Sequence, residues 1–473
     1  MDAVLGSFNP LRLHMRLNNF PEDKEDPSTV PIEAQATMVH EYAHYLQILF
    51  TGFGQISWDF NRQLTGFLFN EWNQLSRSQG VKRYLPLAYL SNISLDNFMQ
   101  GLLVNTASKD MLNLARARFY LSNPEIKIFE LGITDLKKDW FVNPRINLKN
   151  TTHILQTKDI TEGQAYFIES EFLEVMHNIP RNISLDKSAI SKQYWLAYEW
   201  FIEICGEQRY KEFPIICDLA MQTSWEHIKP KCIDEWQDSH PAWRFIKLTL
   251  ALSESDELKL KDDEEWPNHY SSYSSSLLNT CQYKSLEDIF IERLTSFGRR
   301  QELLELEKIM QRGMRFRIDN NMYAGNPLSD LYLWQKISNS FPIPFAQING
   351  KMNSFGPQST ELSNEIVIEL QFQAFAYQIL GEFSNEAKQE KSVECAFSKF
   401  NISQGCEYQR SHSCSGRYQV HAGPPHAVEV DRNGDFTGCS FEALFLSAGF
   451  QSTDIDVDFE ATLPTFEEIR LEN

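Results

Sequence analysis

The chain has 473 residues, a net charge of −20, 42% hydrophobic residues and 13% aromatic residues. This length suits two to four domains or one large domain, and the aromatic content argues against widespread disorder. The negative charge argues against nonspecific binding to nucleic acids or to anionic membranes.

The sequence also lacks the usual signals for export. No run of 18 apolar residues predicts a transmembrane helix, and residues 1–19 lack the apolar core of a signal peptide. The eight cysteines are widely spaced, as is typical of a reducing compartment. We therefore expect a cytoplasmic protein with no membrane anchor.

The first predicted element is a short strand near residues 11–17, followed by an acidic loop. From residue 31 the hydrophobic periodicity is mainly helical, which predicts an α+β, mainly helical protein. The periodicity predicts further helices at these segments: 57–78, 95–121, 162–178, 188–207, 211–228, 286–312, 327–342 and 359–383.

The most informative segment is His40-Glu41-Tyr42-Ala43-His44, within an apolar-periodic run over residues 34–50. Positions i and i+4 of a helix lie on one face, so His40 and His44 can bind one metal ion together. Glu41 lies about 100° around the helix and can reach a water activated by that ion. The pattern therefore indicates zinc-dependent hydrolysis of a peptide bond. A plain amphipathic helix is the alternative, but it does not explain two histidines bracketing a glutamate.

The best third ligand is Glu162, since a catalytic zinc site takes three protein ligands and keeps one position open. Residues 161–164 fit a T-x-x-Q capping box, which predicts a helix starting there with Glu162 in its first turn. The small residues Gly163 and Ala165 would let this helix pack closely against the helix of His40. The alternative is that Glu162 merely stabilises a helix N-terminus.

Other residues near this segment have candidate supporting roles. Glu169 lies two turns beyond Glu162 on the same face, where it would either orient a ligating imidazole or face solvent. A tetrahedral intermediate also needs a hydrogen-bond donor. Candidates by residue type alone are Tyr166, His153, His177 and Tyr194.

Residues 40–47 and 161–166 together resemble the gluzincin metallopeptidases. The resemblance is to the peptidase-MA-like set, which pairs H-E-x-x-H-x-x-Q with E-G-x-A, and it covers these two short segments only. It implies a zincin-like catalytic domain in which His40, His44 and Glu162 bind zinc. It also implies that Glu41 is the general base.

Composition suggests four regions. Residues 1–252 form the predicted zincin-like metallopeptidase domain, because both halves of the metal site lie there. Charged and Ser/Tyr-rich residues at 253–280 predict a linker or loop. A helical region at 281–390 and a small Cys/His-rich module at 391–473 follow.

The C-terminal module offers a weaker metal site. A structural zinc could use some of Cys395, Cys406, His412, Cys414 and Cys439. The spacing lacks a C-x₂₋₄-C pair, so a module with unbridged thiols is the favoured interpretation. A cysteine nucleophile paired with a histidine is a third possibility without a supporting signature. Asn433-Gly434 predicts a hairpin turn.

The predicted function is zinc-dependent peptide-bond hydrolysis, acting on a protein or peptide substrate under the control of a regulatory protein partner. The alternative is a zincin-fold binding or scaffold protein without peptidase activity.

Overall fold

The computed structural model describes the main helical body and several isolated strands. The described residues are 6–9, 14–17, 30–55, 83–86, 143–180, 192–223, 233–255, 266–298, 305–320, 331–341, 345–348, 351–353, 392–394, 417–419, 429–430, 436–437 and 455–458. Within them the fold is α+β and mainly helical, as predicted.

Helices account for most of the described residues. In chain order they are α1 (Ile32–Phe50), α2 (Thr157–His177), α3 (Leu196–Cys205), α4 (Phe213–Met221), α5 (Ile233–Ser239), α6 (Pro241–Ser253), α7 (Trp266–Thr280), α8 (Leu286–Gly298), α9 (Glu305–Asp319) and α10 (Leu331–Ser340). No helix among the described residues is both long enough and apolar enough to cross a membrane.

The strands are short. They are β1 (Gly6–Asn9), β2 (His14–Leu17), β3 (Arg83–Pro86), β4 (Arg145–Leu148), β5 (Thr151–Ile154), β6 (Phe345–Ile348), β7 (Lys351–Asn353), β8 (Ser392–Glu394), β9 (Arg417–Gln419), β10 (Glu429–Val430), β11 (Phe436–Thr437) and β12 (Ile455–Asp458). Four of them form a sheet in the order β1-β2-β6-β7, in which β2 and β6 are parallel. Antiparallel pairing of β10 with β11 confirms strands on either side of the predicted hairpin turn.

Helix α1 is central and is buried on most of its surface. Its apolar side includes Tyr42, whose ring lies edge-on to Trp334 and whose hydroxyl donates to the Phe341 carbonyl at 2.9 Å. Its other side meets α2, where Val39 and Ala43 pack against Ala165 and Ile168. This crossing of α1 and α2 brings residues more than 100 positions apart in sequence face to face.

Helix α2 begins earlier than predicted. The helix starts at Thr157 because Gln156 and Asp159 form the capping box, in which the backbone N–H of Gln156 donates to Asp159 Oδ2 at 2.7 Å. Glu162 therefore lies in the second turn. Gly163 faces α4 and not α1, since a Cβ there would lie 3.3 Å from the Phe213 ring. Of the two small residues predicted to face α1, Ala165 alone does so.

A buried charged network anchors the C-terminal end of α1. The Arg317 guanidinium donates two hydrogen bonds to the Asp218 carboxylate, at 2.9 and 2.7 Å. Asp218 accepts a third from the Tyr270 hydroxyl at 2.8 Å, and Arg317 donates another to the Phe50 carbonyl at 2.8 Å. The two charged side chains are 0% and 3% exposed. The end of α1 is therefore tied to α4, α7 and α9.

The predicted linker differs from the structure, and other predicted elements lie partly or wholly outside the described residues. Within the helix predicted over 286–312 the structure describes α8 up to Gly298 and α9 from Glu305, and residues 299–304 lie outside the described residues. Part of the predicted linker, residues 266–280, is helix α7, and its buried Leu277 belongs to the core that also contains residues from α1 and α9. The helices predicted at 57–78, 95–121 and 359–383 lie outside the described residues.

Candidate metal centre

Two histidines and a glutamate converge where α1 crosses α2. His40 Nε2 lies 3.2 Å from His44 Nε2 and 3.3 Å from Glu162 Oε2. His44 Nε2 lies 3.2 Å from the same Glu162 oxygen. Among the described residues this is the group of histidine, cysteine and acidic side chains whose ligand atoms lie close enough together to hold a metal ion.

The spacing of these three atoms fits a tetrahedral ion. Ligand atoms about 2.0–2.1 Å from a tetrahedral centre lie about 3.3–3.4 Å from one another. The observed triangle has edges of 3.2, 3.2 and 3.3 Å. The separations of these three atoms therefore match those of three ligands of one zinc-sized cation.

The second nitrogen of each imidazole is also engaged. His40 Nδ1 lies 3.0 Å from Glu169 Oε2, so this N–H donates to a carboxylate. His44 Nδ1 lies 2.9 Å from Gln47 Oε1. With the ring proton on Nδ1 in both histidines, the two Nε2 atoms are acceptors, as is the Glu162 oxygen beside them. Three acceptors then face one point, an arrangement that a cation would satisfy.

The electrostatics of the site agree with this reading. Burial acts to lower the pKa of His40, but hydrogen bonds and charges from Glu162 and Glu169 outweigh it and raise this pKa to about 10. Burial also acts to lower the pKa of His44, but the charge and hydrogen bond of Glu162 outweigh it and raise this pKa. Burial acts to raise the pKa of Glu162, yet the two histidines hold it well below its usual range. The carboxylates therefore stabilise positive charge here, whether a proton or a metal ion carries it.

Glu41 lies beside the metal triangle and is not part of it. Its side chain is buried, and burial raises its pKa while the charges of His44 and His40 act to lower it. Strand β1 passes directly over it: a Cβ at Gly6 would lie 3.0 Å from Glu41 Oε1 and 2.5 Å from the Thr37 methyl carbon. Glycine at this position lets the backbone approach the carboxylate closely.

Tyr194 is the candidate donor that the structure places against the ligands. It ends a 3-10 turn over Lys192–Tyr194, and its ring lies edge-on to His40 with centroids 5.6 Å apart. Tyr166 is buried and its ring packs against Tyr194 at 5.8 Å. The sequence alone gave no reason to rank Tyr194 first, because it lies far from both motifs along the chain.

The other predicted candidates lie elsewhere. His153 Nδ1 contacts Lys192 Nζ, and the His177 ring packs edge-on to Phe172 at the end of α2. The cysteine and histidine positions considered for a structural zinc lie outside the described residues: Cys395, Cys406, His412, Cys414 and Cys439.

Gln47 has no role in the sequence-based prediction and Gln164 is predicted only to cap a helix, but in the structure both connect to His44. The signal available in the sequence was spacing, because Gln47 follows His44 by three residues and so lies on the same helix face. No protein-family model, curated protein or solved structure matches this chain. Function must therefore be inferred from the geometry of the site.

Proposed function

We propose that the chain is a zinc-dependent peptidase with a zincin-like arrangement of α1 and α2, in which His40, His44 and Glu162 hold the ion. The observation that supports this most directly is the triangle of two imidazole nitrogens and one carboxylate oxygen, with edges of 3.2–3.3 Å. Two nitrogens and one oxygen are a ligand set typical of catalytic zinc.

The role of Glu41 follows from its chemistry and position. Zinc bound at this site supplies a Lewis acid that polarises the substrate carbonyl and acidifies a water molecule. The Glu41 carboxylate accepts the proton of the attacking water and donates it to the leaving amine. Because Glu41 is buried, bulk water does not weaken the electrostatic interaction of its carboxylate with the reacting atoms.

Tyr194 is the proposed donor to the oxygen on which negative charge develops. Replacing Tyr194 with phenylalanine removes the hydroxyl and keeps the ring that packs on His40. We expect kcat to fall about 10²–10³-fold, as for loss of an oxyanion donor. The fall should come with little change in bound zinc, measured together with steady-state kinetics on a peptide substrate. Tyr198→Phe is the matched control, because its ring packs on Phe167 instead. Unchanged kcat in Tyr194→Phe would assign the donor to another residue.

The proposal includes a protein or peptide substrate, a regulatory protein partner and a cytoplasmic location. The location is supported by the cysteines of the described residues, Cys205, Cys217 and Cys281, which are buried and unbridged. The alternative is a zincin-fold binding protein without peptidase activity, which would bind zinc but would not cleave peptides.

Metal content provides the first test. We expect purified protein to contain about one zinc ion per chain, and His40→Ala to lose it because two ligands hold the ion poorly. Elemental analysis after dialysis makes the measurement, and Cys414→Ser controls for metal bound in the C-terminal module. Zinc that survives His40→Ala, or its absence from the unaltered protein, would contradict the proposed site.

A further inference from the structure

Two buried glutamines connect the candidate metal centre to the core. Gln47 lies one turn after His44 on α1, and Gln164 lies two residues after Glu162 on α2. Their side chains meet at the crossing of the helices, where they are 7% and 3% exposed. Buried amides need all their hydrogen bonds satisfied, so their partners are informative.

The hydrogen bonds form a single directed chain. Gln164 Nε2 donates to the Pro214 carbonyl of α4 at 2.9 Å. Gln47 Nε2 donates to both the Thr161 carbonyl and Gln164 Oε1, each at 2.9 Å. Gln47 Oε1 lies 2.9 Å from His44 Nδ1. The chain therefore runs from a backbone carbonyl of α4 to an imidazole of α1.

The two backbone carbonyls set the direction of this chain. A carbonyl only accepts, so the NH₂ group of Gln164 must face Pro214 and its oxygen must face Gln47. The NH₂ group of Gln47 must then face Thr161, and its oxygen must face His44. Turning either amide over would leave buried groups unsatisfied, at a cost of about 1–3 kcal/mol each. His44 therefore carries a proton on Nδ1, and Nε2, which lies 3.2 Å from the Glu162 oxygen, is the ring nitrogen available to a metal ion.

We propose that Gln47 and Gln164 act as an amide relay that positions the metal centre, selecting the metal-binding tautomer of His44 and fixing α1 against α2. This inference rests on the proposed metal site and deepens it. The relay is neutral, whereas His40 is oriented by the carboxylate of Glu169. A neutral anchor is suited to this place, because Glu41, Glu162 and Glu169 already place three carboxylates in and beside a site proposed for one divalent ion.

The relay predicts an effect from a residue that touches no ligand. In Gln164→Met the side chain keeps its approximate size but loses its hydrogen bonds, so the Gln47 amide is no longer held in one orientation. We expect the Kd for Zn²⁺ to rise about 10–100-fold, the range for residues that orient metal ligands. Competition with a chromophoric chelator measures the Kd. The visible absorption of bound Co²⁺ should also change, since it reports ligand geometry and is insensitive to stability alone.

Two further variants test the connection. Because the amides act in series, Gln47→Met combined with Gln164→Met should bind zinc no more weakly than Gln47→Met alone. Gln222→Met is the matched control: this fully buried glutamine ties α4 to the end of α1 through the Phe50 carbonyl and the Gly52 amide N–H. It should lower stability while changing the Kd by less than about twofold.

The outcomes separate the relay from the proposed function. If the unaltered protein binds zinc and Gln164→Met binds it as tightly with the same Co²⁺ spectrum, the relay is wrong and the metal site stands. If Gln222→Met weakens zinc binding as much as Gln164→Met does, the effect is one of general stability and the relay is also wrong. If the unaltered protein binds no zinc, the proposed function itself fails and the relay fails with it.

Discussion

Replacing Glu41 with glutamine is expected to lower kcat/KM for peptide hydrolysis by about 10²–10⁴-fold, because the amide cannot accept a proton from water. Zinc content should stay near that of the unaltered protein, since Glu41 lies outside the triangle formed by His40, His44 and Glu162. Folding should also be preserved. Burial raises the pKa of Glu41, so it disfavours the charged form and a neutral amide of the same shape is tolerated there.

The measurement combines cleavage of a peptide library, followed by mass spectrometry, with elemental analysis of the same sample. Glu33→Gln is the matched control, being the same substitution at an exposed position in the first turn of the same helix. Full activity in Glu41→Gln with zinc still bound would rule out the proposed proton transfer. If the unaltered protein contains zinc but cleaves no peptide of the library, the binding-protein alternative is favoured.

The second large effect is on stability. Asp218→Asn should lower the free energy of unfolding by about 3–5 kcal/mol, because it leaves the Arg317 guanidinium charged and buried without a counter-charge. The side chain of Arg317 is 0% exposed, so water cannot take the place of the lost carboxylate. The neutral amide would also face Arg317 with an NH₂ group or a single oxygen. Denaturant unfolding of the two proteins, monitored by circular dichroism, gives the difference.

An exposed ion pair provides the control for Asp218→Asn. Asp238 accepts a hydrogen bond from Lys247 at 3.2 Å, and the two side chains are 41% and 47% exposed. Asp238→Asn should change stability by less than about 0.5 kcal/mol, because solvent screens the pair. Equal unfolding midpoints for the two variants would mean that the buried network around Arg317 does not anchor α1.

The helix that carries the two histidines could be predicted from sequence because its evidence is local. The spacing of His40 and His44 predicts a shared helix face, and the apolar period around them predicts the helix itself. Glu162 could be predicted as a ligand because a carboxylate can bind zinc and because residues 161–166 resemble the E-G-x-A motif. Its distance from the two histidines could not be read from periodicity, since that distance depends on how α1 and α2 cross.

Misread details share one physical cause, which is that tertiary partners override local patterns. Thr161 and Gln164 look like a capping box, but the Gln164 amide bonds Gln47 and the Pro214 carbonyl instead. The Ser/Tyr-rich stretch at 266–280 looks like a loop because most of its residues are polar. Its buried residues Tyr270, Leu277 and Leu278 recur at helical spacing and suffice to hold α7 in the core.

The positions of the candidate metal ligands along the chain have a consequence for when the site forms during folding. His40 and His44 come together as soon as α1 forms, but Glu162 is 118 residues from His44 and Glu169 is 129 residues from His40. Closing so long a loop costs entropy that local contacts do not repay, so the site should assemble late in folding. During synthesis from the N-terminus, both histidines would leave the ribosome well before their carboxylate partners. A nascent or truncated chain that stops short of α2 would therefore lack the third candidate ligand, and on the proposed function its activity would report completed folding.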